Sequence, residues 1–182
     1  MPLPPLPFRS LLVLGGARSG KTRYAQRLAE SSGLETMLIA TAEAGDAEMA
    51  ARIASHRAER GPAWRVVEEP RGLFAALMRE AATGRCIVVD CATLWLANMM
   101  FAGSGLDAPV QALAASLPGL AGPVIIVSNE VGCGIVPDNA MARDFRDAQG
   151  RLNQELAAAC DAVVLVSAGL PLRLKPGAPV GF

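Results

Sequence analysis

Short apolar runs rich in β-branched residues recur along the chain, and longer segments with helical spacing separate them. Each run has the length of a buried strand. The runs are residues 10–15, 36–40, 64–68, 86–90, 123–128 and 162–167. The clearest helical pattern spans residues 141–160, where apolar side chains return every three or four positions. This alternation predicts an α/β fold with a mostly parallel sheet flanked by helices.

The length of the chain favours one domain, because 182 residues fill a single core well and are few for two. The proline-rich start lacks a basic leading region, so residues 1–9 are predicted to be a disordered lead-in and not a signal peptide. No internal repeat is visible. We therefore predict a single domain over residues 10–182, in which the Gly/Pro-rich end at 170–182 forms a loop or extension.

Composition excludes several classes of protein. Hydrophobic residues make up 52% of the chain and charged residues 19%, which is typical of a globular protein and not of a disordered one. Basic and acidic residues balance at 17 each and form no basic run, so no nucleic-acid partner is expected. The longest apolar stretch, residues 86–103, contains Asp90 and Asn98, which argues against a membrane span.

The cysteines predict neither a disulfide framework nor a zinc site. The four of them show no CxxC spacing, and the chain has a single histidine. We interpret them as reduced, mostly buried thiols of a cytoplasmic protein.

A complete phosphate-binding motif follows the first predicted strand. "GGARSGKT", residues 15–22, has the G-x-x-x-x-G-K-[ST] spacing and precedes a helical stretch. Glycines let successive N–H groups turn inward, and the helix adds its positive end, which makes an anion cradle. Lys21 can reach the β- and γ-phosphates, and the Thr22 hydroxyl can ligate Mg²⁺. The alternative is a glycine-rich turn that holds no ligand.

The use of lysine supports a phosphate loop. Lysine occurs only at Lys21 and Lys175, and arginine supplies the other 15 of the 17 basic residues. A compact ammonium fits such a loop better than a planar guanidinium does. A chain that prefers arginine elsewhere therefore keeps a lysine where phosphate chemistry needs one.

A carboxylate for the metal is expected after a second buried strand, and Asp90 stands at the end of the run 86–90. An aspartate at this place can also cap the next helix. Its combination with Lys21 and Thr22 favours the role as a metal ligand.

The only histidine lies on a predicted helix over residues 45–61, with Asp46 as N-cap and Gly61 as the stop. His56 shares a face with the apolar Ile53. Positive neighbours disfavour a charged imidazolium and favour a neutral, nucleophilic ring near pH 7. A histidine in the last turn of a helix also often caps carbonyls or packs, and spacing does not decide between these roles. The arginines around it are Arg52, Arg57 and Arg60.

Four stretches together resemble one known family. They are "GGARSGKT", "EMAARIASHR", "IVVDCATLWLANMM" and the block "SNEVGCGIVPDNAMARDFRDAQGRLNQ" at 128–154. With them the chain is similar, from about Leu11 to Ser167, to the bifunctional adenosylcobinamide kinase and adenosylcobinamide-phosphate guanylyltransferase family of cobalamin biosynthesis. The long block is far more specific than the phosphate loop.

The resemblance implies a P-loop fold and two reactions. Members of the family phosphorylate adenosylcobinamide with ATP or GTP, and then transfer GMP from GTP to the product through a covalent GMP-histidine. The matching histidine here is His56. The family also forms small homo-oligomers, trimers among them, which suits an apolar-rich chain.

The resemblance also carries site residues over to this sequence. Catalytic roles fall on His56 and Lys21, and metal ligation on Thr22 and Asp90. Nucleotide contacts fall on Gly15, Gly16, Ala17, Arg18, Ser19, Gly20, Lys21, Thr22, Ala40, Thr41, Ala42, Arg57, Ala58, Glu59, Arg60, Glu68 and Asp90. The segment "FRDAQGRLNQ", residues 145–154, is interpreted as a core helix with solvated arginines and is given no catalytic role. Two other functions stay open from the residues alone: a plain small-molecule kinase with a structural histidine, and a nucleotide-binding regulatory protein.

Overall fold

The structure, a computed structural model, describes residues 8–43 and 63–176 and contains one seven-stranded sheet. The strands are β1 (Ser10–Gly15), β2 (Glu35–Ala40), β3 (Arg65–Glu68), β4 (Arg85–Asp90), β5 (Val124–Asn129), β6 (Ala162–Ser167) and β7 (Leu170–Lys175). The helices of this part are α1 (Lys21–Ser31), α2 (Leu73–Glu80), α3 (Ala92–Phe101), α4 (Asp107–Ser116) and α5 (Ala140–Ala159), with a 3₁₀ turn at Leu117–Gly119. The predicted helix over 45–61 lies outside the described residues.

The order of the strands is β3-β2-β4-β5-β1-β6-β7, and every neighbouring pair is parallel except β6 and β7. The mostly parallel sheet predicted from the apolar runs is thereby confirmed. All six runs became strands, and each strand end lies within one residue of its predicted place. Short buried apolar runs are reliable signals of parallel strands because helices cover both faces of such a sheet.

Two apolar layers cover the sheet, one on each face, because successive strand residues point to opposite sides. On one face Leu11 and Val13 pack with Ala25 of α1. On the other face Leu12 packs in the cluster that holds Trp95 of α3 and the buried residues of α4 and α5. The sheet is therefore the middle layer of three.

One prediction about the chain end is wrong: residues 170–175 form an edge strand and not a loop. β7 pairs antiparallel with β6 through a two-residue turn at Ala168 and Gly169, whose φ angles are 51° and 80°. Left-handed backbone at both positions matches the twist that tight hairpins need. Pro171 argues against a strand in the sequence, because proline cannot donate a backbone hydrogen bond. Proline is nevertheless tolerated in an edge strand, where its position can face away from the neighbouring strand.

Ion pairs gather at the amino ends of the strands. Glu80, which is buried, contacts Arg65 at 3.2 Å, Arg79 at 3.0 Å and Arg85 at 3.4 Å. Arg85 also pairs with Glu35 at 3.1 Å. Since Glu35, Arg65 and Arg85 each begin a strand, this cluster joins β2, β3 and β4 at the end of the sheet opposite the phosphate loop.

The described part of the chain has no helix that is both long enough and apolar enough to cross a membrane. All four cysteines are free thiols; Cys86, Cys91 and Cys160 are buried, whereas Cys133 is exposed. Burial raises the pKa of Cys86 and of Cys160 to about 12 each. The prediction of reduced, mostly buried thiols agrees with this arrangement.

Candidate functional site

The phosphate loop connects β1 to α1 and is shaped by left-handed backbone. Arg18 has a φ of 55°, and Gly20, the N-cap residue of α1, has a φ of 93°. The helix then begins at Lys21, so its unpaired N–H groups face the loop. The Lys21 ammonium, 9% exposed, donates to the carbonyl of Gly16 at 3.0 Å across the loop. The motif therefore has the strand–loop–helix geometry of an anion cradle.

Gly15 is required by the space around it. A Cβ atom at this position would lie 2.5 Å from both Ser19 Oγ and the carbonyl oxygen of Val166. No side chain fits at such distances, so the loop closes on itself only with glycine here. At Gly16, in contrast, nothing lies within 4 Å of the added atom.

The hairpin between β6 and β7 braces the phosphate loop from outside. Gly169 N–H donates to the carbonyl of Ser19 at 2.8 Å. A Cβ at Gly20 would lie 3.3 Å from Gly169 Cα, so the two backbones are in close contact. The Gly/Pro-rich end of the chain is typical of a loop and so does not predict this contact; the turn-forming Ala168–Gly169 pair is the available signal.

Three of the predicted contact residues stand in one row across neighbouring strands. Ala40 pairs with Glu68 on β3 and with Asp90 on β4. Residues paired in register point to the same face of a sheet, so both acidic side chains lie on the face that α1 covers. The structure thus brings Glu68 and Asp90 to the carboxyl edge of the sheet, where ligands of α/β proteins bind.

The junction between β4 and α3 follows directly after Asp90. Cys91 is the N-cap residue of α3, and its side chain makes no capping bond. The Thr41 hydroxyl instead holds this junction, since it donates to the Cys91 carbonyl at 2.7 Å and accepts from Cys91 N–H at 2.8 Å. Thr41 is fully buried, and Asn98 donates to its carbonyl at 2.8 Å. The structure thus ties the ends of β2 and β4 together through Thr41.

The charges of Asp90 and Lys21 both act on the Cys91 thiol. Burial and, to a smaller extent, the Asp90 carboxylate raise the pKa of Cys91 to about 11, while the Lys21 ammonium opposes the rise. Electrostatic influence of this kind needs proximity. The predicted lysine and carboxylate therefore both lie near this thiol, at the carboxyl edge of the sheet.

The donor set at this site suits magnesium. Thr22 lies in the first turn of α1 and Asp90 at the end of β4, and both are half-buried. Hydroxyl and carboxylate oxygens are hard ligands of the kind that Mg²⁺ prefers, beside phosphate oxygens and water. In the described ranges no group of three or more His, Cys, Asp or Glu side chains could hold a metal by itself. The residues fit a cation that is shared with a nucleotide.

The end of β5 adjoins the phosphate loop, and its "NEVGCGIVP" stretch stands at the carboxyl end of a core strand, a position that favours a site. Asn129 pairs with Gly15 in the sheet, and Glu130 N–H donates to the Gly15 carbonyl at 3.0 Å. Behind this strand end, Gln149 and Asn153 of α5 are buried at 0% and 7% exposure. Two amides on the buried face of a helix are a usable signal, but the sequence pattern of 145–154 predicts only a core helix with solvated arginines.

His56, the predicted nucleophile, lies outside the described residues, and so do the predicted contacts Arg57, Ala58, Glu59 and Arg60. The remaining predicted residues lie on the phosphate loop, in the first turn of α1, at strand ends or directly after β2: Gly15, Gly16, Ala17, Arg18, Ser19, Gly20, Lys21, Thr22, Ala40, Thr41, Ala42, Glu68 and Asp90. This part of the site is brought together at the carboxyl edge of the sheet, as expected. Binding of a nucleotide to these residues stays a prediction.

Comparison with known families finds a match over nearly the whole chain. Residues 11–174 match the family described as cobinamide kinase / cobinamide phosphate guanyltransferase. The bifunctional adenosylcobalamin biosynthesis protein CobP of Pseudomonas aeruginosa is 51% identical over 166 residues, which cover 90% of this chain and 96% of that protein. The corresponding protein CobU of Salmonella typhimurium is 39% identical over 180 residues, covering 91% and 99%.

Solved structures with a similar fold are distant in sequence. The flagellar accessory protein FlaH from Methanocaldococcus jannaschii superposes with a TM-score of 0.52 at 13% identity, covering 92% of this chain and 78% of that one. The assembled ATPase EscN from enteropathogenic E. coli superposes with a TM-score of 0.55 at 11% identity, covering 88% and 43%. These similarities concern the fold alone, which is that of P-loop NTPases.

Proposed function

The chain belongs to the cobinamide kinase / cobinamide phosphate guanyltransferase family of bifunctional enzymes, and from this we propose that it carries out both reactions on adenosylcobinamide. It first phosphorylates adenosylcobinamide with ATP or GTP, and then transfers GMP from GTP to give adenosylcobinamide-GDP. The observation that carries the proposal is the family match over residues 11–174, which includes the complete phosphate loop.

In the kinase step the chain acts mainly by positioning and by charge. Loop N–H groups and the start of α1 bind the triphosphate, and Lys21 exchanges the Gly16 carbonyl for phosphate oxygens. The aminopropanol hydroxyl oxygen then bonds to the γ-phosphorus, the bond to the bridging oxygen breaks, and the nucleoside diphosphate leaves as the hydroxyl proton is released. Alignment of the reacting atoms supplies most of the acceleration, so no strong protein base is required.

Magnesium is the cofactor that this proposal assigns to Thr22 and Asp90. When bound, the ion neutralises charge on the phosphate oxygens. Asp90 stands in register with Ala40 and Glu68, so a fixed sheet holds its carboxylate in place. That rigidity supports a ligand role, since the backbone around Asp90 is tied down by Thr41.

In the transferase step we assign His56 as the nucleophile. An imidazole nitrogen attacks the α-phosphorus of GTP and pyrophosphate leaves, which forms a phosphoramidate. A phosphate oxygen of adenosylcobinamide phosphate then attacks the same phosphorus, the N–P bond breaks and the imidazole is regenerated. Ping-pong kinetics follow from this sequence of steps.

Labelling with GTP that carries ³²P at the α-phosphate tests the transferase assignment. Wild-type protein should retain acid-labile label, and the His56→Ala variant should lose it while it keeps γ-phosphate transfer to adenosylcobinamide. A Glu48→Ala variant, from the same predicted helix but outside the arginines around His56, serves as a matched control and should still label. Full labelling of His56→Ala would refute the histidine assignment.

Product masses separate the proposal from its rivals. With adenosylcobinamide, ATP and GTP, the proposed enzyme yields adenosylcobinamide phosphate and then adenosylcobinamide-GDP. A plain kinase would stop at the phosphate. A regulatory protein would turn GTP over slowly, and adenosylcobinamide would not change that rate. The homo-oligomeric state, trimers among the candidates, and the cytoplasmic location stay predictions.

A further inference from the structure

Four buried polar side chains lie behind the end of β5, on the face away from α1. They are Thr93 of α3, Ser128 of β5, and Gln149 and Asn153 of α5, here called the amide network; none is more than 7% exposed. Buried polar groups are costly unless they are paired, and apolar side chains would pack a helix on a strand equally well. A network at this place therefore calls for an explanation beyond packing.

The members of the amide network bond to one another. Gln149 Nε2 donates to Ser128 Oγ and to Asn153 Oδ1, at 2.9 Å each. Ser128 Oγ donates to Asn153 Oδ1 at 2.7 Å. These three bonds join α5 to β5 or run within α5, so they fix the helix on the strand in one register, and Thr93 Oγ1 of α3 lies 3.5 Å from Ser128 Oγ.

The amide network also holds the backbone of the next residue. Asn129 N–H donates to Thr93 Oγ1 at 2.7 Å, and Asn153 Nδ2 donates to the Asn129 carbonyl at 3.0 Å. Glu130 N–H then donates to Gly15 of the phosphate loop at 3.0 Å. The main chain at Asn129 is therefore held from two helices directly before it contacts the loop.

The side chain of Asn129 lies on the opposite face from the network. Val127 belongs to the cluster under α1, and strand alternation puts Asn129, two residues later, on that same face. Asp90 pairs with Val127 and shares this face. Among the described residues the Asn129 carboxamide makes no hydrogen bond. A polar group thus stands between the phosphate loop and the strand of Asp90.

We propose that Thr93, Gln149 and Asn153 are positioning residues for the kinase step, because they hold the end of β5, and with it the Asn129 carboxamide, against the phosphate loop. The carboxamide would orient phosphate oxygens or the acceptor hydroxyl during transfer. The inference rests on the proposed function, since it concerns the same site and the same reaction. Small displacements near reacting atoms slow transfer far more than they weaken binding.

Thr93 offers an isosteric test. Thr93→Val removes the acceptor for Asn129 N–H and keeps the shape, whereas Thr93→Ser keeps the hydroxyl. We expect the kcat of γ-phosphate transfer to fall by about tenfold or more in Thr93→Val, with Thr93→Ser near wild type and the Kd for ADP within about threefold in both. Equal kcat values for the two variants would overturn the proposal.

Asn153→Leu tests the helix side of the network, with Gln154→Leu as the matched control because Gln154 is exposed on the same helix. Asn153→Leu should lower kcat without a matching change in the Kd for ADP, and Gln154→Leu should change neither. A loss of ADP binding as large as the loss in kcat would show a merely structural role. Thr93→Val keeps the proposal testable if Asn153→Leu fails to fold.

The decisive measurement is a double-mutant cycle that combines Thr93→Val with Asn129→Ala. If the network acts through this residue, Asn129→Ala should slow transfer, and Thr93→Val added to it should cost little more. Additive losses would overturn the proposal. If the wild-type protein is active and the variants keep its kcat for γ-phosphate transfer, only this inference is refuted. If the wild-type protein shows no kinase turnover, the proposed function is refuted as well.

Discussion

Lys21 and Lys175, the two lysines of the chain, each direct an ammonium at backbone carbonyls. Lys21 contacts the carbonyl of Gly16 inside the phosphate loop. Lys175 donates to three carbonyls at the end of α5, at distances of 3.0, 2.9 and 2.6 Å. A compact head with three donors suits both places, and at the second it also complements the negative end of the helix.

Substitution of Lys21 should affect catalysis, whereas substitution of Lys175 should affect only the stability of the fold. Lys21→Ala should weaken nucleotide binding and lower kinase kcat on the order of a hundredfold or more, because a cradle contact is lost. Lys175→Ala should leave kcat unchanged and lower the free energy of unfolding by about 1 kcal/mol, because the carbonyls of α5 lose their partner. Steady-state kinetics and urea unfolding measure both; unchanged Lys21→Ala kinetics at saturating ATP would exclude the cradle role.

Gly15 and Gly16 form a second matched pair at the same loop. Gly15→Ala puts a methyl group 2.5 Å from a backbone carbonyl and should destabilise the ligand-free protein by about 1–3 kcal/mol. Gly16→Ala meets open space and should change stability by less than about 1 kcal/mol. Thermal or urea unfolding without nucleotide checks both variants. Equal stability of the two would contradict the steric explanation.

At the scale of elements, the hairpin of β6 and β7 contacts the phosphate loop and also forms one edge of the sheet. Its turn donates from Gly169 to the phosphate loop, and the strand after it ends at the lysine that caps α5. The hairpin thus connects the phosphate loop to the far end of α5. The apolar runs did not reveal β7 because its leucines alternate with Pro171, Arg173 and Lys175 and so form no continuous apolar run.

A change at the turn should reach the phosphate loop. Gly169→Val places a β-branched residue at a φ of 80° and should cost about 1–2 kcal/mol of stability and weaken ADP binding several-fold. Ala168→Gly relieves a non-glycine residue at a φ of 51° and should leave both near wild type. Calorimetric binding and unfolding midpoints are the measurements. If Gly169→Val binds ADP normally, the hairpin does not brace the loop.

At the scale of the whole molecule, the two ends of the sheet carry different groups of residues. The amino ends carry the Glu80 ion cluster, and the carboxyl ends carry the phosphate loop, Glu68 and Asp90. Between α5 and β6, Asp161 accepts from the N–H groups of Arg9 and Ser10 at 2.8 and 3.0 Å and so fastens the start of β1. The described chain is thereby anchored at Arg9, within the predicted lead-in.

Asp161 should make stability depend on pH at the acid side. The N–H groups of Arg9 and Ser10 hold the pKa of this carboxyl below its usual value of 3.8. A lowered folded-state pKa stabilises the fold above the unfolded pKa, and that contribution is lost as pH falls through the folded value. Asp161→Asn should therefore be less stable than wild type at pH 7, and the gap should shrink below about pH 4. Urea unfolding at several pH values measures it; a gap independent of pH would contradict this role.

Prediction from the sequence succeeded where the signal is local. The six strand runs and the helix at 141–160 depend on burial pattern alone, and the phosphate loop depends on glycines and lysine at fixed spacing. The roles of Gln149 and Asn153 were not predicted, because their partners Ser128 and Asn129 are more than twenty residues away along the chain. Only packing of α5 on β5 makes them neighbours.

The sequence by itself determined the α/β class, the positions of six of the seven strands in the described chain, the family and the residues of the phosphate loop, since each follows from periodicity or from a contiguous motif. The tertiary structure decided which strand ends lie side by side. It also decided that the Thr41 hydroxyl bonds to the Cys91 backbone and that Gly169 N–H donates to the phosphate loop. Those contacts join residues 50 and 150 positions apart. No local preference specifies them, because they arise only when the sheet is assembled and its two faces are covered.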